Sequence, residues 1–377
     1  MAFVSGGVGV YFGPPVLGAP DDLEAVIVDF LDGAVHELDI AVQEIDSRTI
    51  AAAVIAAKQR HVRVRLILEG DYLVEAPALG DPWAVAGPLE ENRTIYNALL
   101  RAGVDVITDL NPAIFHQKFV VRDPGRTTAA VLTGSTNFTL TDTGKNTAQA
   151  PLEAGNNLNH VVILRGQRAT AQYAAEFERL RSGTFGTLHE RRDPRPAEFE
   201  LGGMRVKPVF APDQGPEMEI MKQMLKARSS VDFAIFTFAL SSGIDDTMLR
   251  MAPPAIDRLR GVLDRVQGSQ AWAATQPLVT AGVELFENAP GTGVRKVHHK
   301  LMVIDSQLVI AGSFNYTDPA NTLNDENIVV LGDLEATDPA ARQAQGALAE
   351  HTLHEIERII TDLSRPVAVP APTPPQP

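Results

Sequence analysis

VHHKLMVID, residues 297–305, is the stretch from which the rest of the chain can be read, because it recurs as FHQKFVVRD at residues 115–123. Both are His-x-Lys-x4-Asp, and both lead into a Gly-Ser-x-Asn step: LTGSTNFT at 132–139 and IAGSFNYT at 310–317. The apolar runs predict strands. On a strand, residues two apart share a face, so His298 and Lys300 project together while Val297, His299, Leu301 and Val303 point the other way. His116 and Lys118 are placed likewise. A lone histidine on a strand is ordinarily structural, but packing does not explain the same pair twice in the same strand-turn context.

Working outward, the two halves repeat their order. Tyr11-Phe12-Gly13-Pro14, an amphipathic helix, the strand LDIAVQEI from Leu38, a helix from Ser47 and the strand VRVRLILEGD are matched by Val209-Phe210-Ala211-Pro212, a helix from Pro216, the strand VDFAIFTFAL from Val231, a helix from Ile244 and GVLD ending at Asp264. LLRAGVDVI from Leu99 parallels LVTAGVELF from Leu278, each a helix end, a glycine stop and a short strand. Strands alternating with helices predict an α/β protein with mixed, largely parallel sheets, duplicated as two lobes with flanking helices about a pseudo-twofold axis. The expected organisation is a first lobe at 1–188, a charged and proline-rich linker at 189–200, a second lobe at 201–366, and a Pro-rich disordered tail at 367–377. Gly6, Gly7 and Gly9 read as a flexible start.

The 377 residues suffice for two lobes, and 45% hydrophobic with 21% charged residues is the profile of a soluble globular protein. A formal charge of -14 means that a phosphate backbone must be met by a local basic patch. With no cysteine, thiolate and Cys-type zinc chemistry are excluded. The first twenty residues lack the basic and apolar regions of a secretory signal, and no apolar stretch approaches a membrane span, so the expected location is cytoplasmic.

Cleaving a phosphodiester takes a nucleophile, an acid for the leaving oxygen and positive charge around the equatorial oxygens; a His-Lys pair presented twice supplies all of these without requiring a metal or other cofactor. The paired motifs resemble the HKD motifs of the phospholipase D superfamily, over most of the chain. The resemblance implies a duplicated phospholipase D-like fold and a covalent phosphohistidine. One of His116 and His298 attacks phosphorus and the other protonates the leaving group. Lys118 and Lys300, with Ser135, Asn137, Ser313 and Asn315, hold the phosphate. Asp123 and Asp305 join the catalytic set as motif members, although in the family this Asp is usually an anchor. NDENIVVL at 324–331 places Glu326 where the family carries an acid that orients a catalytic histidine. The first half departs from this, with Asn159 of NLNHVVIL at the matching position. Which histidine Glu326 serves is open; analogy with two-motif relatives favours His116 as nucleophile.

HHKLMVIDSQLVIAGSFNYT is most like the bacterial endonuclease branch, which makes nucleic acid the expected substrate, with phospholipid cleavage or transfer the alternative and a binding-only role a third. Arg295, Lys296 and His299 form a short basic cluster that could track a backbone. Trp83 is expected to be half-buried, and His351, His354 and Glu355 to lie on a surface helix.

Overall fold

The computed structural model describes residues 2–150, 153–188 and 198–369. Each His-x-Lys run forms the strand that its alternation predicts, Lys118–Arg122 and Lys300–Ile304, near the middle of one of two nine-stranded sheets. The first sheet runs Phe3–Ser5, Val8–Gly13, Asn156–Arg165, Ala130–Gly134, Lys118–Arg122, Glu37–Val42, Arg63–Leu68, Asp105–Thr108, with Val294–Val297 as a ninth strand paired to Asn156–Arg165 off this path. The second runs Ser364–Pro366, Glu284–Asn288, Arg258–Leu263, Ser230–Ile235, Lys300–Ile304, Leu308–Gly312, Glu326–Leu331, Met204–Ala211, Phe199–Leu201. From Val8–Gly13 to Asp105–Thr108 and from Met204–Ala211 to Glu284–Asn288 the order is the same, which is the duplication seen in the sequence.

The sheets are mixed, but not largely parallel. Only the βα units, Glu37–Val42 with Arg63–Leu68 and Asp105–Thr108 and their counterparts, pair in parallel within each lobe. The His-bearing strands and their successors are antiparallel. Short connections such as the turn between Ile304 and Leu308 permit nothing else, since parallel neighbours need a long crossover.

The two sheets face each other across a shared core in which helices Gln167–Arg181 and Pro339–Leu363 are buried, through Tyr173, Phe177 and Leu180 on one and Leu348, Ile356 and Ile359 on the other. The outer faces carry Leu23–Asp32, Arg48–Gln59 and Glu90–Arg101 on the first sheet, and Pro216–Met224, Ile244–Met251 and Thr275–Thr280 on the second. Both faces of the central strands are thus covered: Val303 belongs to the inner core while Met302 and Ile304 belong to the outer one. The helix bearing His351 and Glu355 is accordingly an inner element and not the surface helix expected. His351 lies with its ring 5.0 Å from that of Phe12.

At the chain start, Gly6 and Gly7, both at positive φ, turn a hairpin between Phe3–Ser5 and Val8–Gly13, where a flexible lead was expected. Of the expected linker, residues 189–197 lie outside the described residues, and Phe199–Leu201 is a strand paired to Met204–Ala211. Of the expected tail, residues 370–377 lie outside the described residues, and Val367 donates to Leu285 O. Among the described residues no helix is long and apolar enough to cross a membrane.

Asp123 and Asp305, included in the catalytic set, sit at the far ends of their strands as loop clasps. Asp123 accepts from the backbone N–H groups of Val35, His36 and Glu37 and from Thr128 Oγ1. Asp305 accepts from those of Arg228, Ser229 and Ser230. Each carboxylate ties the turn after its own strand to the start of the neighbouring one, and its acceptor capacity is spent there. Asp305→Ala should therefore lower the unfolding free energy by roughly 2–4 kcal/mol, the cost of stranding several charge-assisted bonds. Urea denaturation checks the loss, and turnover per folded molecule should stay unchanged.

Candidate active site

Each motif histidine is held by backbone pairing to the opposite lobe. His116 N–H donates to Asp325 O at 3.0 Å and Asp325 N–H to Ile114 O at 3.1 Å, while His298 N–H donates to Leu158 O at 3.0 Å. Val294–Val297, just before His298, joins the first sheet parallel to Asn156–Arg165. Because neighbouring strands are in register through these contacts, the residue after each acceptor faces the opposing imidazole. Glu326 Oε2 lies 2.7 Å from His116 Nδ1, and Asn159 Oδ1 lies 2.8 Å from His298 Nδ1. The partner of Glu326, left open by the sequence, is His116.

Ser313 Oγ donates to Glu326 Oε2 at 2.6 Å and Ser135 Oγ to Asn159 Oδ1 at 2.8 Å. These serines were expected to hold phosphate; instead both are fully buried and spend their hydroxyls on the groups that orient the histidines. The close approach of strands that makes this possible needs the preceding glycines: a Cβ at Gly134 or Gly312 would collide with the carbonyl of His160 or Asn327. Both histidines donate through Nδ1, which leaves Nε2 as the ring nitrogen for a ligand.

His116 and His298 line a cavity of about 320 Å³ together with Asn137, Asn315, Phe236 and Lys296. Among the described residues the side-chain oxygens of Asn137 and Asn315, both on the cavity wall, have no hydrogen-bond partner. Lys118 and Lys300 are almost completely buried. Lys118 Nζ donates to Gln43 Oε1 at 3.0 Å and His116 O at 2.8 Å; Lys300 Nζ donates to His298 O at 2.9 Å and lies 5.0 Å from the Phe236 ring centre. Gln43 and Phe236 occupy the same place in the two lobes, one residue after Glu37–Val42 and Ser230–Ile235.

Burial dominates the electrostatics. It depresses both imidazoles well below the usual histidine range, and Lys118 or Lys300 depresses each further. It lowers Lys118 to about 7, takes Lys300 well below its ordinary value, and raises Glu326 to about 8. Charges that burial makes costly in this cleft are those an anionic phosphate would restore.

The basic cluster does not form a patch. His299 is fully buried, its Nδ1 3.1 Å from His160 Nδ1 and its Nε2 3.5 Å from Glu355 Oε1, while Lys296 lies over the Phe236 ring. Trp83 is not half-buried but 91% exposed. Sequence reasoning passed over Gln43, Phe236 and above all Asp142, a buried cavity residue whose Oδ2 lies 3.6 Å from His298 Nδ1. Its signal was present: TNFTLTD at 136–142 aligned on FNYTDPA at 314–320 puts Asp142 opposite Ala320.

With the geometry in hand, the comparisons fall into place. The sequence matches the family described as "Cardiolipin synthase, PLD-like domain" over residues 27–181 and 220–347. A "Phospholipase D" of Rickettsia bellii is 32% identical over 146 residues, covering 37% of this chain and 67% of that protein. A "Mitochondrial cardiolipin hydrolase" of Chlamydomonas reinhardtii is 30% identical over 107 residues, covering 28% of this chain and 46% of its own length. The chain thus spans about two thirds of the first relative and less than half of the second. In structure, the phosphatidylserine synthase of Haemophilus influenzae superposes with TM-score 0.63 at 11% identity, covering 97% of this chain and 89% of that one, and shows the same duplicated fold. The curated relatives carry phospholipid names, where the second motif had suggested the endonuclease branch.

A phosphate that enters this cleft raises the pKa of the buried Lys118 ammonium. Between about 7, to which burial lowers Lys118, and the ordinary lysine value of 10.5, binding should therefore take up a proton. Calorimetry of inorganic phosphate binding in buffers of different ionisation enthalpy measures the uptake, and Lys118→Met should diminish it.

Proposed function

The chain belongs to the phospholipase D-like family, and from that premise we propose that it cleaves a phospholipid phosphodiester through a covalent phosphatidyl-histidine, passing the phosphatidyl group to water or an alcohol. His116 Nε2 attacks phosphorus. The P–N bond forms as the bond to the head-group oxygen breaks, and His298 gives its Nε2 proton to that oxygen. In the second half-reaction the neutral His298 takes a proton from water or an alcohol, whose oxygen attacks phosphorus while the P–N bond breaks. His116 is restored. Lys118, Lys300, Asn137 and Asn315 hold the non-bridging oxygens.

The unequal partners support this division of labour. Glu326 stabilises the positive charge that His116 acquires on forming P–N. The neutral amide beside His298 leaves its imidazolium more willing to lose a proton. Phosphate binding would raise the buried His298 into its protonated form before attack.

The observation that carries the lipid assignment is apolar exposure on two loops that reach the cavity. Tyr72 and Ile114 line the cavity, and the segments that bear them present Val74, Trp83, Val85, Leu110 and Ile114 to solvent, Val85 at 84% and Leu110 at 70% exposed. Exposed apolar side chains on such loops fit a lipid surface, where an indole is favoured at the head-group level. A nucleic-acid backbone, the substrate expected from the second motif, would instead bring further phosphates along a wall that also bears Glu44. The net charge of -14 adds to that repulsion.

Phosphatidylcholine and cardiolipin vesicles and single-stranded DNA, each offered in EDTA, test the proposal. Phosphatidyl products should appear in EDTA and fall by roughly 10³-fold or more in His116→Ala and His298→Ala. Trp83→Ala should weaken vesicle binding while sparing a short-chain soluble diester. DNA cleavage without lipid cleavage would overturn the substrate, and undiminished turnover by both histidine variants would overturn the mechanism.

A further inference from the structure

We infer that Asp142 supplies to His298 the negative charge that Asn159 lacks, so that Asn159 and Asp142 together replace in the first lobe what Glu326 alone provides in the second. The inference rests on the assignment of His298 as acid and base, not on the choice of substrate.

The lobes have exchanged carboxylate for neutral residue at two matched positions. After each Gly-Ser-x-Asn step comes a threonine that caps a short helix: Thr139 Oγ1 accepts from Asp142 N–H and Thr317 Oγ1 from Ala320 N–H, both at 3.3 Å. Identical capping establishes that Asp142 and Ala320 are equivalent. Asn159 and Glu326 are equivalent through their bonds to Ser135 and Ser313 and to the opposing histidine. Where the strand carries Glu326 the helix carries Ala320, and where the strand carries Asn159 the helix carries Asp142.

Asp142 reaches His298 by two routes. Its carbonyl oxygen accepts from Asn159 Nδ2 at 3.3 Å, which fixes the amide with Oδ1 toward His298. Its carboxylate, almost fully buried, accepts from Asn137 N–H at 2.7 Å and Asn157 Nδ2 at 2.5 Å, and stands 3.6 Å from His298 Nδ1. The other groups facing His298 are Lys296 and Lys300 on its own segment, Lys118 and His116 from the first lobe, and the Phe236 ring 5.0 Å away. The remaining carboxylates of the cleft are Glu44 on the wall and Glu326, already bonded to His116. An imidazolium among three lysines needs a compensating charge, and Asp142 provides it. Held just beyond hydrogen-bond contact, that charge supports protonation of His298 less than direct bonding would, which suits a group that must release its proton.

The side-chain carbon resonances of His298, assigned by their loss in His298→Ala, report the effect without turnover, so failure here is distinct from failure of the lipid assignment. Removing the negative charge disfavours the imidazolium. In Asp142→Asn the His298 titration midpoint should therefore fall by about 1 pH unit or leave the accessible range, with that of His116 nearly unmoved. Asn159→Asp should restore it in the same background, and should raise it less in the wild type, because the two carboxylates then compete for one role. Should Asp142→Asn not fold, the exchanged pair Asp142→Asn with Asn159→Asp carries the same test. In kinetics, Asp142→Asn should slow a diester with an alkyl leaving group about 100-fold and a p-nitrophenyl diester only a few-fold, since the latter needs little acid assistance. An unmoved His298 midpoint in the folded variant, or equal loss on both diesters, would overturn the inference, as would an exchanged pair that folds with the His298 midpoint far below the wild type.

Discussion

The site depends on one constraint: the peptide of each motif histidine is hydrogen-bonded to the other lobe. His116 N–H on Asp325 O and His298 N–H on Leu158 O set the register across the interface. A one-residue slip there would turn Glu326 and Asn159 away from the imidazoles and bury their polar ends without partners. The inner helices Gln167–Arg181 and Pro339–Leu363, packed in the core shared by both sheets, hold that register. Neither lobe holds a complete site alone, because the group that orients each histidine belongs to its neighbour.

Symmetry of backbone has been kept while symmetry of charge has been lost. The serine, the glycine before it, the capping threonine and the lysine bonded to its own histidine's carbonyl are the same in both lobes. The residues that set electrostatics differ: carboxylate against amide beside the histidines, an amide oxygen against an aromatic face beside the lysines. The two-step reaction proposed for this site would ask different things of its two imidazoles, and a duplicated frame with unequal partners suits that demand.

The layer behind the motif strands differs in the same way. In the first lobe Gln117 bonds Asn327 and the Glu326 carbonyl; in the second the matching His299 meets His160, whose Nε2 accepts from Gly312 N–H. The first arrangement pairs both polar ends of Gln117, which the strand alternation turns away from the cleft; in the second, His299 Nε2 has only the Glu355 carboxylate at 3.5 Å. The second ends on Glu355 of the inner helix, itself paired with Arg358.

The sequence by itself determined the duplication, the motif strands and the faces on which His116, Lys118, His298 and Lys300 stand, because strand periodicity is local and the repeat fixes its phase. It also marked Asn159 as the place where the halves part. Only the tertiary structure decided that Glu326 serves His116, that the serines hold the orienting residues and not the substrate, that Asp123 and Asp305 clasp loops, that Trp83 stands in solvent, and that Asp142 lies beside His298. Each of these concerns groups brought together from distant segments, and hydrogen-bond partnership and burial at such distances are properties of packing, on which local sequence pattern carries no information.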